Sequence, residues 1–380
     1  MKVAIIHDWL PLLAGAEKVL KELLAIYPDA DVFTLFDFLT EKERSKTFGN
    51  TKITTSYLNR LPKVKKYYRN LLPFCTQAIE DFDVSDYDLV ISSSHTVAKG
   101  VITSPKQLHV SYVHSPARYA WDMIHHYLRE ANLTRGPKAY LAKYLLHKFR
   151  IWDMRTANGV DYFIANSNYI RKRIWKVYRR EAAVIYPPVN LEEFNMHTDK
   201  EEFYLAASRM VPYKRIPLLA EAFAEMPDKK LIIIGDGPEM EKVQNAARNA
   251  PNITVMGYQS NKVLKEHMQK ARAFVFAAEE DFGIMPIEAQ ACGTPAIAYG
   301  AGGALETVID VREDKKNGTG LFFPEQTTSS IIETVKEFDN LYKHASPKNC
   351  RKNAEKFSIK SFQEQILSAV QTAQKEHENI

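Results

Sequence analysis

One ten-residue stretch carries most of the information in this sequence: Glu279-Glu280-Asp281-Phe282-Gly283-Ile284-Met285-Pro286-Ile287-Glu288. The apolar run before it, Ala273 to Phe276, is short enough for a buried strand, and the residues from Met285 to Cys292 are typical of a short helix. A strand, a glycine-containing loop and a helix in this order direct free backbone N–H groups and the positive end of the helix dipole at the loop, which suits a phosphate. Glu280 and Glu288, with seven residues between them, can both accept hydrogen bonds from the hydroxyls of a sugar or a ribose.

The same stretch, with Phe282-Gly283 inside it and Ala291-Cys292-Gly293-Thr294-Pro295 after it, resembles the retaining glycosyltransferases of family 4. The alternative is an ordinary strand, loop and helix with solvated acidic side chains. The resemblance implies the GT-B fold, an α/β architecture in which two doubly wound Rossmann-like domains face each other across a cleft and a C-terminal helix crosses back to the N-terminal domain. It predicts an acceptor-binding domain over residues 1–186, a domain that binds the nucleotide-sugar donor over 187–357, and the returning helix over 358–380.

Length and composition agree with this expectation. A chain of 380 residues is long enough for two or three domains, and its 45% of apolar residues can form substantial cores. The three cysteines, Cys75, Cys292 and Cys350, are widely spaced and odd in number, which indicates a reducing compartment and not a disulfide framework. No apolar run approaches the length of a transmembrane helix, and the N-terminal apolar run is too short for a signal peptide. The sequence therefore predicts a cytoplasmic protein.

Charge is distributed unevenly between the two halves of the chain. Residues 1–190 contain 28 Lys and Arg against 18 Asp and Glu, a net charge of +10, whereas the remainder contains 23 against 28, a net charge of −5. The acid-free segment 58–74 holds four candidates for contact with the acceptor or with a membrane: Lys63, Lys65, Lys66 and Arg69. Such a segment can lie on an anionic bilayer, where each cation near the surface contributes ~1 kcal/mol.

A peripheral position on the inner face of the plasma membrane is therefore one hypothesis for this segment. A simply solvated surface is as good an interpretation of the charge pattern alone. The same composition could follow a nucleic acid, but no nucleic-acid-binding module surrounds the segment, so we predict no nucleic-acid partner.

Two positions in the N-terminal half lie just past predicted strands, where open α/β sheets bind their ligands. Gly15 belongs to the loop between the first predicted strand and the first helix, and His114 ends a later strand and precedes Arg118. In family 4 the matching loop, commonly with two adjacent glycines where this chain has Ala14-Gly15, lies beside the sugar phosphates and the acceptor. The resemblance thus assigns Gly15 to donor binding, His114 to a contact with the sugar near the reacting carbon, and Arg118 to the acceptor side.

Arg209 and Lys214 flank the loop after the predicted strand Phe203 to Ala207. Two cations at the carboxyl end of a strand suit a diphosphate, because charge-assisted hydrogen bonds are the stronger kind. An ordinary charged surface loop is the alternative. In family 4, residues at these positions bind the donor's diphosphate and stabilise it as it leaves. The resemblance further assigns the turn that contains Gly257 and Tyr258 to recognition of the base.

The implied activity is the transfer, with retention at the anomeric carbon, of a hexose from a nucleotide-diphosphate sugar to a growing polysaccharide or oligosaccharide. The linker Tyr186-Pro187-Pro188-Val189 and the basic helix before it resemble family members that elongate lipid-linked polysaccharides with mannose. GDP-mannose is therefore the first expectation for the donor, a UDP-hexose the second, and a lipid-linked saccharide the expected acceptor.

The resemblance also distributes roles within the opening stretch. Glu288 would bind the ribose hydroxyls and Glu280 the sugar hydroxyls, with Phe282 among the donor-binding residues. Charge on the departing diphosphate would be stabilised by two cations and three backbone amides: Arg209, Lys214, and the N–H groups of Gly283, Ile284 and Met285. The implied mechanism is attack on the leaving group's own face, with a phosphate oxygen taking the acceptor's proton. The alternative makes Glu280 a covalent nucleophile.

We predict no metal and no cofactor, because none of the Asp-x-Asp pairs, Asp29-Asp31, Asp81-Asp83 and Asp86-Asp88, follows a suitable strand. Two rival functions stay open. One is a sugar-nucleotide epimerase of the same fold, which needs no acceptor. The other is a non-catalytic peripheral membrane protein that has kept the fold. Acceptor, linkage and oligomeric state are not specified by the sequence.

Overall fold

The computed structural model describes residues 1–379, which form two compact units. One unit comprises Met1–Pro188 together with the residues from Phe362 onward, and the other comprises Val189–Ser361. Each unit contains one parallel β-sheet with its helices. The predicted α/β fold with two doubly wound Rossmann-like domains is therefore confirmed.

The N-terminal sheet has seven parallel strands in the order β3-β2-β1-β4-β5-β6-β7. They are β1 (Val3–His7), β2 (Asp31–Thr34), β3 (Ile53–Thr55), β4 (Leu89–Ser94), β5 (Leu108–Val113), β6 (Tyr162–Ala165) and β7 (Ala183–Val184). Every residue of β1, β4 and β5 is buried, as expected where helices cover both faces of a parallel sheet. The strand order reverses beside β1, so the loops after β1 and β4 leave the carboxyl edge of the sheet next to each other.

The helices that precede β7 and accompany this sheet are α1 (Gly15–Ile26), α2 (Glu41–Phe48), α3 (Leu72–Glu80), α4 (Ile124–Glu130), α5 (Pro137–Thr156) and α6 (Asn168–Tyr178). Ser167 caps α6, since its Oγ accepts a hydrogen bond from the Ile170 N–H at 3.1 Å. The basic segment before α3 is not one continuous helix. It consists of three short 3₁₀ turns: Tyr57–Arg60, Val64–Lys66 and Tyr68–Leu71.

The C-terminal sheet has six parallel strands in the order β10-β9-β8-β11-β12-β13. They are β8 (Glu201–Ala207), β9 (Lys230–Ile234), β10 (Ile253–Gly257), β11 (Ala271–Phe276), β12 (Ala296–Tyr299) and β13 (Gly320–Phe323). Its helices are α7 (Ile216–Ala224), α8 (Met240–Ala247), α9 (Asn261–Lys270), α10 (Ile284–Ala291), α11 (Ala304–Thr307), α12 (Thr328–Leu341) and α13 (Pro347–Glu355). Here the strand order reverses beside β8, which brings the loops after β8 and β11 together.

The last helix, α14 (Ile359–His377), follows Ser358, whose hydroxyl accepts a hydrogen bond from the Ser361 N–H at 3.2 Å. Ser358 therefore caps this helix. The apolar face of α14 joins the hydrophobic core that β1 and α1 form in the N-terminal unit, through Phe362, Ile366, Ala369, Val370 and Ala373. A fully buried side chain of the size of Phe362 stabilises a fold by about 1.5–3 kcal/mol, so this face anchors the helix to that core.

Three strands of the sheets, β3, β7 and β13, were not predicted. They are only two to four residues long, and they sit at or next to the edges of their sheets, where a long apolar run is not needed. Within residues 1–379, no helix is long and apolar enough to cross a membrane.

Candidate active site

The loops after β8 and β11 carry two of the predicted site residues, Lys214 and Glu280, whose side chains form an ion pair. Only 14% of the Lys214 side chain and 20% of the Glu280 side chain are exposed. Because solvent screens partly buried charges weakly, the pair holds both groups at the edge of the sheet where open α/β sheets bind ligands. Arg209 lies in the same loop as Lys214 and is exposed to solvent.

The acidic loop continues directly into α10. Gly283 has φ = +84°, a left-handed conformation that favours glycine, and it forms the N-terminal cap of the helix. The first N–H groups of α10 have no partner inside the helix, so Ile284 and Met285 can offer theirs to an anion. Phe282 is buried and packs edge-to-face against Phe357 with the ring centroids 5.6 Å apart. Glu288, one turn further on, is 8% exposed.

Two glycines after β12 support the backbone of the acidic loop. The N–H of Gly303 donates a hydrogen bond to the carbonyl of Glu280 at 2.8 Å. A Cβ atom on Gly303 would overlap the backbone of Phe282, and one on Gly302 would overlap the carbonyl of Glu280. Gly302 and Gly303 therefore lie against the protein's own backbone, and this close approach positions Glu280.

A second support holds the loop that carries Arg209. The Met210 N–H donates to the carbonyl of Asp236 at 2.8 Å, and a Cβ atom on Gly237 would lie 2.6 Å from the carbonyl oxygen of Met210. Gly235 donates its N–H to the carbonyl of Gly257 at 2.9 Å. The turn predicted to recognise the base is therefore hydrogen-bonded to the loop that supports Arg209. Tyr258, beside it, is 80% exposed.

In the N-terminal unit, Asp8 joins the loops that follow β1 and β4. Its carboxylate is fully buried and accepts hydrogen bonds from four consecutive backbone N–H groups, at 2.5–3.0 Å: those of His95, Thr96, Val97 and Ala98. This fixes the loop at the point where the strand order reverses. Sequence reasoning missed Asp8, although an acidic residue directly after the first strand was a usable signal.

His114 follows β5 and is connected to the same region through Ser93. Its Nε2 lies 2.8 Å from Ser93 Oγ, and its ring packs edge-to-face against Tyr112 with the centroids 5.2 Å apart. Burial, followed by the neighbouring rings of His95 and His7, holds the pKa of His114 well below its usual range. His114 is therefore uncharged at neutral pH.

The remaining predicted residues are spread over the N-terminal unit. Gly15 is the first residue of α1, whose start is closed by a hydrogen bond from the Ala14 N–H to the Glu17 carboxylate at 2.9 Å. Arg118 follows β5 and is partly exposed. The four predicted membrane or acceptor contacts before α3 are all exposed: Lys63, Lys65, Lys66 and Arg69. Among residues 1–379, no group of three or more His, Cys, Asp or Glu side chains is arranged to hold a metal ion.

Two family descriptions match the chain over nearly its whole length. "Glycosyltransferase Family 4" matches residues 13–193, and "Glycosyl transferases group 1" matches residues 189–357. The chain belongs to glycosyltransferase family 4. The membership predicted from the Glu280–Glu288 stretch is therefore confirmed.

Named relatives of this family 4 chain are moderately similar. An uncharacterized glycosyltransferase of Methanocaldococcus jannaschii is 28% identical over 244 residues, which cover 63% of this chain and 66% of that protein. A GDP-mannose-dependent α-(1-6)-phosphatidylinositol monomannoside mannosyltransferase of Mycolicibacterium smegmatis is 30% identical over 185 residues, covering 41% of this chain and 48% of the relative. The matches thus span between about half and two thirds of these relatives.

Solved structures share the fold of this family 4 chain over its full extent. HepE from Anabaena, crystallised with UDP, superposes with a TM-score of 0.69 at 17% identity and covers 98% of this chain and 100% of that one. Sucrose-phosphate synthase from Thermosynechococcus elongatus gives a TM-score of 0.72 at 17% identity, with 98% and 99% covered. At these identities the comparison establishes the fold alone.

Proposed function

We propose that this chain is a retaining hexosyltransferase that moves a hexose from a nucleotide-diphosphate sugar to a saccharide acceptor. The observation that carries the proposal is the Lys214–Glu280 ion pair at the reversal point of the C-terminal sheet. It sets a cation for phosphate and a carboxylate for hydroxyls side by side, next to the start of α10. A nucleotide sugar needs both kinds of partner within a few ångströms of the bond that breaks.

The diphosphate is assigned to Arg209, Lys214 and the N–H groups of Gly283, Ile284 and Met285. These donors are held by the backbone contacts of their loops, so they need little rearrangement as negative charge grows on the leaving group. Preorganised donors of this kind are a major source of catalysis, and removal of one typically costs roughly 100- to 1,000-fold in rate.

The remaining donor contacts follow from position. Glu288, on the buried side of α10, is assigned to the ribose hydroxyls, and Glu280 to the hydroxyls of the sugar. Gly257 and Tyr258, at the end of β10, are assigned to the base. For His114 the proposal is a contact with the transferred sugar, made by an uncharged ring.

For the transfer itself we favour attack on the leaving group's own face. The bond between the anomeric carbon and the phosphate oxygen breaks, the acceptor oxygen bonds to that carbon on the same face, and its proton passes to an oxygen of the departing nucleoside diphosphate. The ion pair with Lys214 supports this choice over a covalent intermediate on Glu280. A carboxylate engaged by an ammonium group is a weaker nucleophile than a free one.

GDP-mannose is the first candidate donor and a UDP-hexose the second. A relative that shares 30% identity over 185 residues is named as GDP-mannose-dependent. HepE, a structural neighbour, has been crystallised with UDP and with UDP-glucose, which keeps the second candidate in place. The sugar nucleotide itself is the donor substrate, and we assign no resident cofactor.

The acceptor is proposed to be lipid-linked, with the N-terminal unit resting on an anionic membrane surface. Support comes from four exposed cations in the segment before α3: Lys63, Lys65, Lys66 and Arg69. Helix α5 packs beside α3 and exposes the apolar side chains of Tyr140, Leu141 and Tyr144, at 75%, 59% and 56% exposure. Neutralising Lys63, Lys65 and Lys66 should release the protein from anionic vesicles, and unchanged cosedimentation would remove this part of the proposal.

Thermal unfolding with a panel of nucleotide diphosphates and their sugars tests the donor site. A ligand at 100 times its dissociation constant adds about 2.7 kcal/mol to the free energy of unfolding, which is visible as a rise in Tm. We expect one nucleotide to stand out, with its effect lost in Arg209→Ala and Glu288→Gln. Lys315→Ala is the matched control, because it removes an exposed cation of the same unit outside these loops. No shift with any nucleotide would contradict the proposal.

A further inference from the structure

Three side chains from adjacent strands form a hydrogen-bonded chain at the carboxyl edge of the N-terminal sheet. His7 is the last residue of β1, Ser93 lies opposite it on β4, and His114 directly follows β5. His7 Nδ1 lies 3.1 Å from Ser93 Oγ, and Ser93 Oγ lies 2.8 Å from His114 Nε2. One hydroxyl therefore joins two imidazole rings that are more than a hundred residues apart in sequence.

The imidazole ring of His7, at one end of these hydrogen bonds, is completely buried. His7 is 0% exposed, and its second nitrogen, Nε2, is buried without a hydrogen-bond partner among residues 1–379. Burial lowers the pKa of His7 to about 4, against the opposing effects of the Asp8 carboxylate and the Trp9 backbone. With His114 also uncharged, both rings carry a single ring proton at neutral pH.

The unpartnered nitrogen of His7 determines which groups donate and which accept along these hydrogen bonds. If His7 carried its proton on Nε2, a buried N–H would lack an acceptor, and buried N–H groups without a partner are rarer in folded proteins than buried acceptors without one. A proton on Nδ1 avoids this, since Nδ1–H then donates to Ser93 Oγ and only a lone pair is left unpartnered. Ser93, which accepts from His7, donates its own hydroxyl proton to His114 Nε2. The ring proton of His114 is then on Nδ1.

We propose that His7 and Ser93 are positioning residues for His114, and that they hold it as the Nδ1–H tautomer with this N–H offered to an oxygen of the bound sugar. The identity of that ligand rests on the proposed function, whereas the tautomer is a property of the protein alone. Among residues 1–379, the His114 ring makes its hydrogen bond through Nε2 only, which leaves Nδ1 available to a ligand.

A second serine–histidine pair in the same sheet serves as an internal reference. His109 Nδ1 lies 3.0 Å from the carbonyl of Gly159, and its Nε2 lies 2.9 Å from Ser92 Oγ. A carbonyl can only accept, so His109 must carry its proton on Nδ1 and accept from Ser92. The hydrogen-bond geometry of His109 therefore fixes it as the Nδ1–H tautomer.

The test is long-range ¹H–¹⁵N correlation spectroscopy of the full chain labelled in its histidine rings, with His114→Asn used to assign the signal. We expect His114 to show the same Nδ1-protonated pattern as His109. An Nε2-protonated His114 would overturn the proposal. Ser93→Ala should abolish the single tautomer of His114, and Ser93→Thr, which keeps the hydroxyl, should retain it. Ser111→Ala is the matched control, since Ser111 is a buried serine of β5 whose hydroxyl has no hydrogen-bond partner in the described part of the chain.

Transfer kinetics provide the functional readout. Loss of one positioning hydrogen bond should lower kcat/KM about tenfold in Ser93→Ala, with activity restored in Ser93→Thr and unchanged in Ser111→Ala. Equal activity of Ser93→Ala and the wild type would show that the hydrogen bonds through Ser93 do not position His114 for the sugar. If the wild type transfers no hexose, the proposed function fails, but the spectra still decide the tautomer.

Discussion

Lys214 and Glu280 form an ion pair between the loops that follow β8 and β11, the two strands beside which the order of the C-terminal sheet reverses. The pair places the cation that we assign to the diphosphate beside the carboxylate that we assign to the hydroxyls of the sugar. Glycines support the backbone of both loops by close contact. Gly302 and Gly303 lie against the loop after β11, and Gly235 and Gly237 lie against the loop after β8.

Removal of either partner of this pair should impair transfer in different ways. We expect Lys214→Ala to lower kcat roughly 100- to 1,000-fold, because a donor to the leaving diphosphate is lost. Glu280→Gln should also lower kcat while leaving the affinity for the free nucleoside diphosphate, which lacks the sugar, close to that of the wild type. Steady-state kinetics and calorimetric titration measure the two effects. Weaker binding of the nucleoside diphosphate to Glu280→Gln would contradict the role assigned to that carboxylate.

The glycine support predicts a steric effect on donor binding. In Gly303→Ala the new methyl group would overlap the backbone of Phe282 and push the acidic loop out of place, so we expect donor affinity to fall at least tenfold. Gly300→Ala is the matched control, since its Cβ would lie 3.4 Å from Phe322 and Phe323, an ordinary contact. Titration of both variants with the donor identified by thermal unfolding measures the difference. Equal affinities would mean that the loop does not depend on this glycine.

Much of the C-terminal site could be predicted because it is local in sequence. The stretch from Glu279 to Glu288 contains the loop, the cap and the helix start, which residue order predicts, whereas the roles of its side chains are implied by the resemblance to family 4. The chain formed by His7, Ser93 and His114 could not be predicted, because it depends on the register of three strands. The same holds for Gly302 and Gly303, whose contacts with the Glu280 loop arise only when β11 and β12 lie side by side.

The N-terminal unit contains a buried ion pair whose disruption should be costly. Lys99 and Asp153 are 2% and 0% exposed at their side chains, and Lys99 Nζ lies 2.7 Å from the Asp153 carboxylate. Lys99→Met leaves a buried charge without its partner, so we expect the free energy of unfolding to fall by about 3–5 kcal/mol. Urea denaturation measures the change.

The control for this prediction is Lys52→Met, which removes an exposed partner of Asp31 in the same unit. An exposed pair contributes about 0–1 kcal/mol, so this variant should be close to the wild type. If the two variants lose the same stability, the buried pair is not an important contact. The double variant Lys99→Met with Asp153→Asn should recover part of the loss, because it leaves no unpaired charge.

Buried histidines should make the protein sensitive to mild acid. Burial lowers the pKa of both His7 and His109 to about 4, whereas the same groups in an unfolded chain titrate near 6.5. Between these values the unfolded chain binds protons that the native protein excludes, so the free energy of unfolding falls as the pH drops from about 6.5 to 4, by about 3 kcal/mol for each histidine. Urea unfolding across this pH range should show a shallower dependence in His109→Gln. An unchanged slope would contradict the assignment.

The central claim is that this family 4 chain transfers a hexose from a nucleotide sugar with retention of configuration. The most direct measurement is proton NMR of the first product formed from the donor that stabilises the protein, recorded before the sugar can change its anomeric form. We expect the product to have the donor's anomeric configuration and the reaction to be roughly 100- to 1,000-fold slower in Arg209→Ala. A product of inverted configuration, or no consumption of any nucleotide sugar by the wild type, would contradict the account.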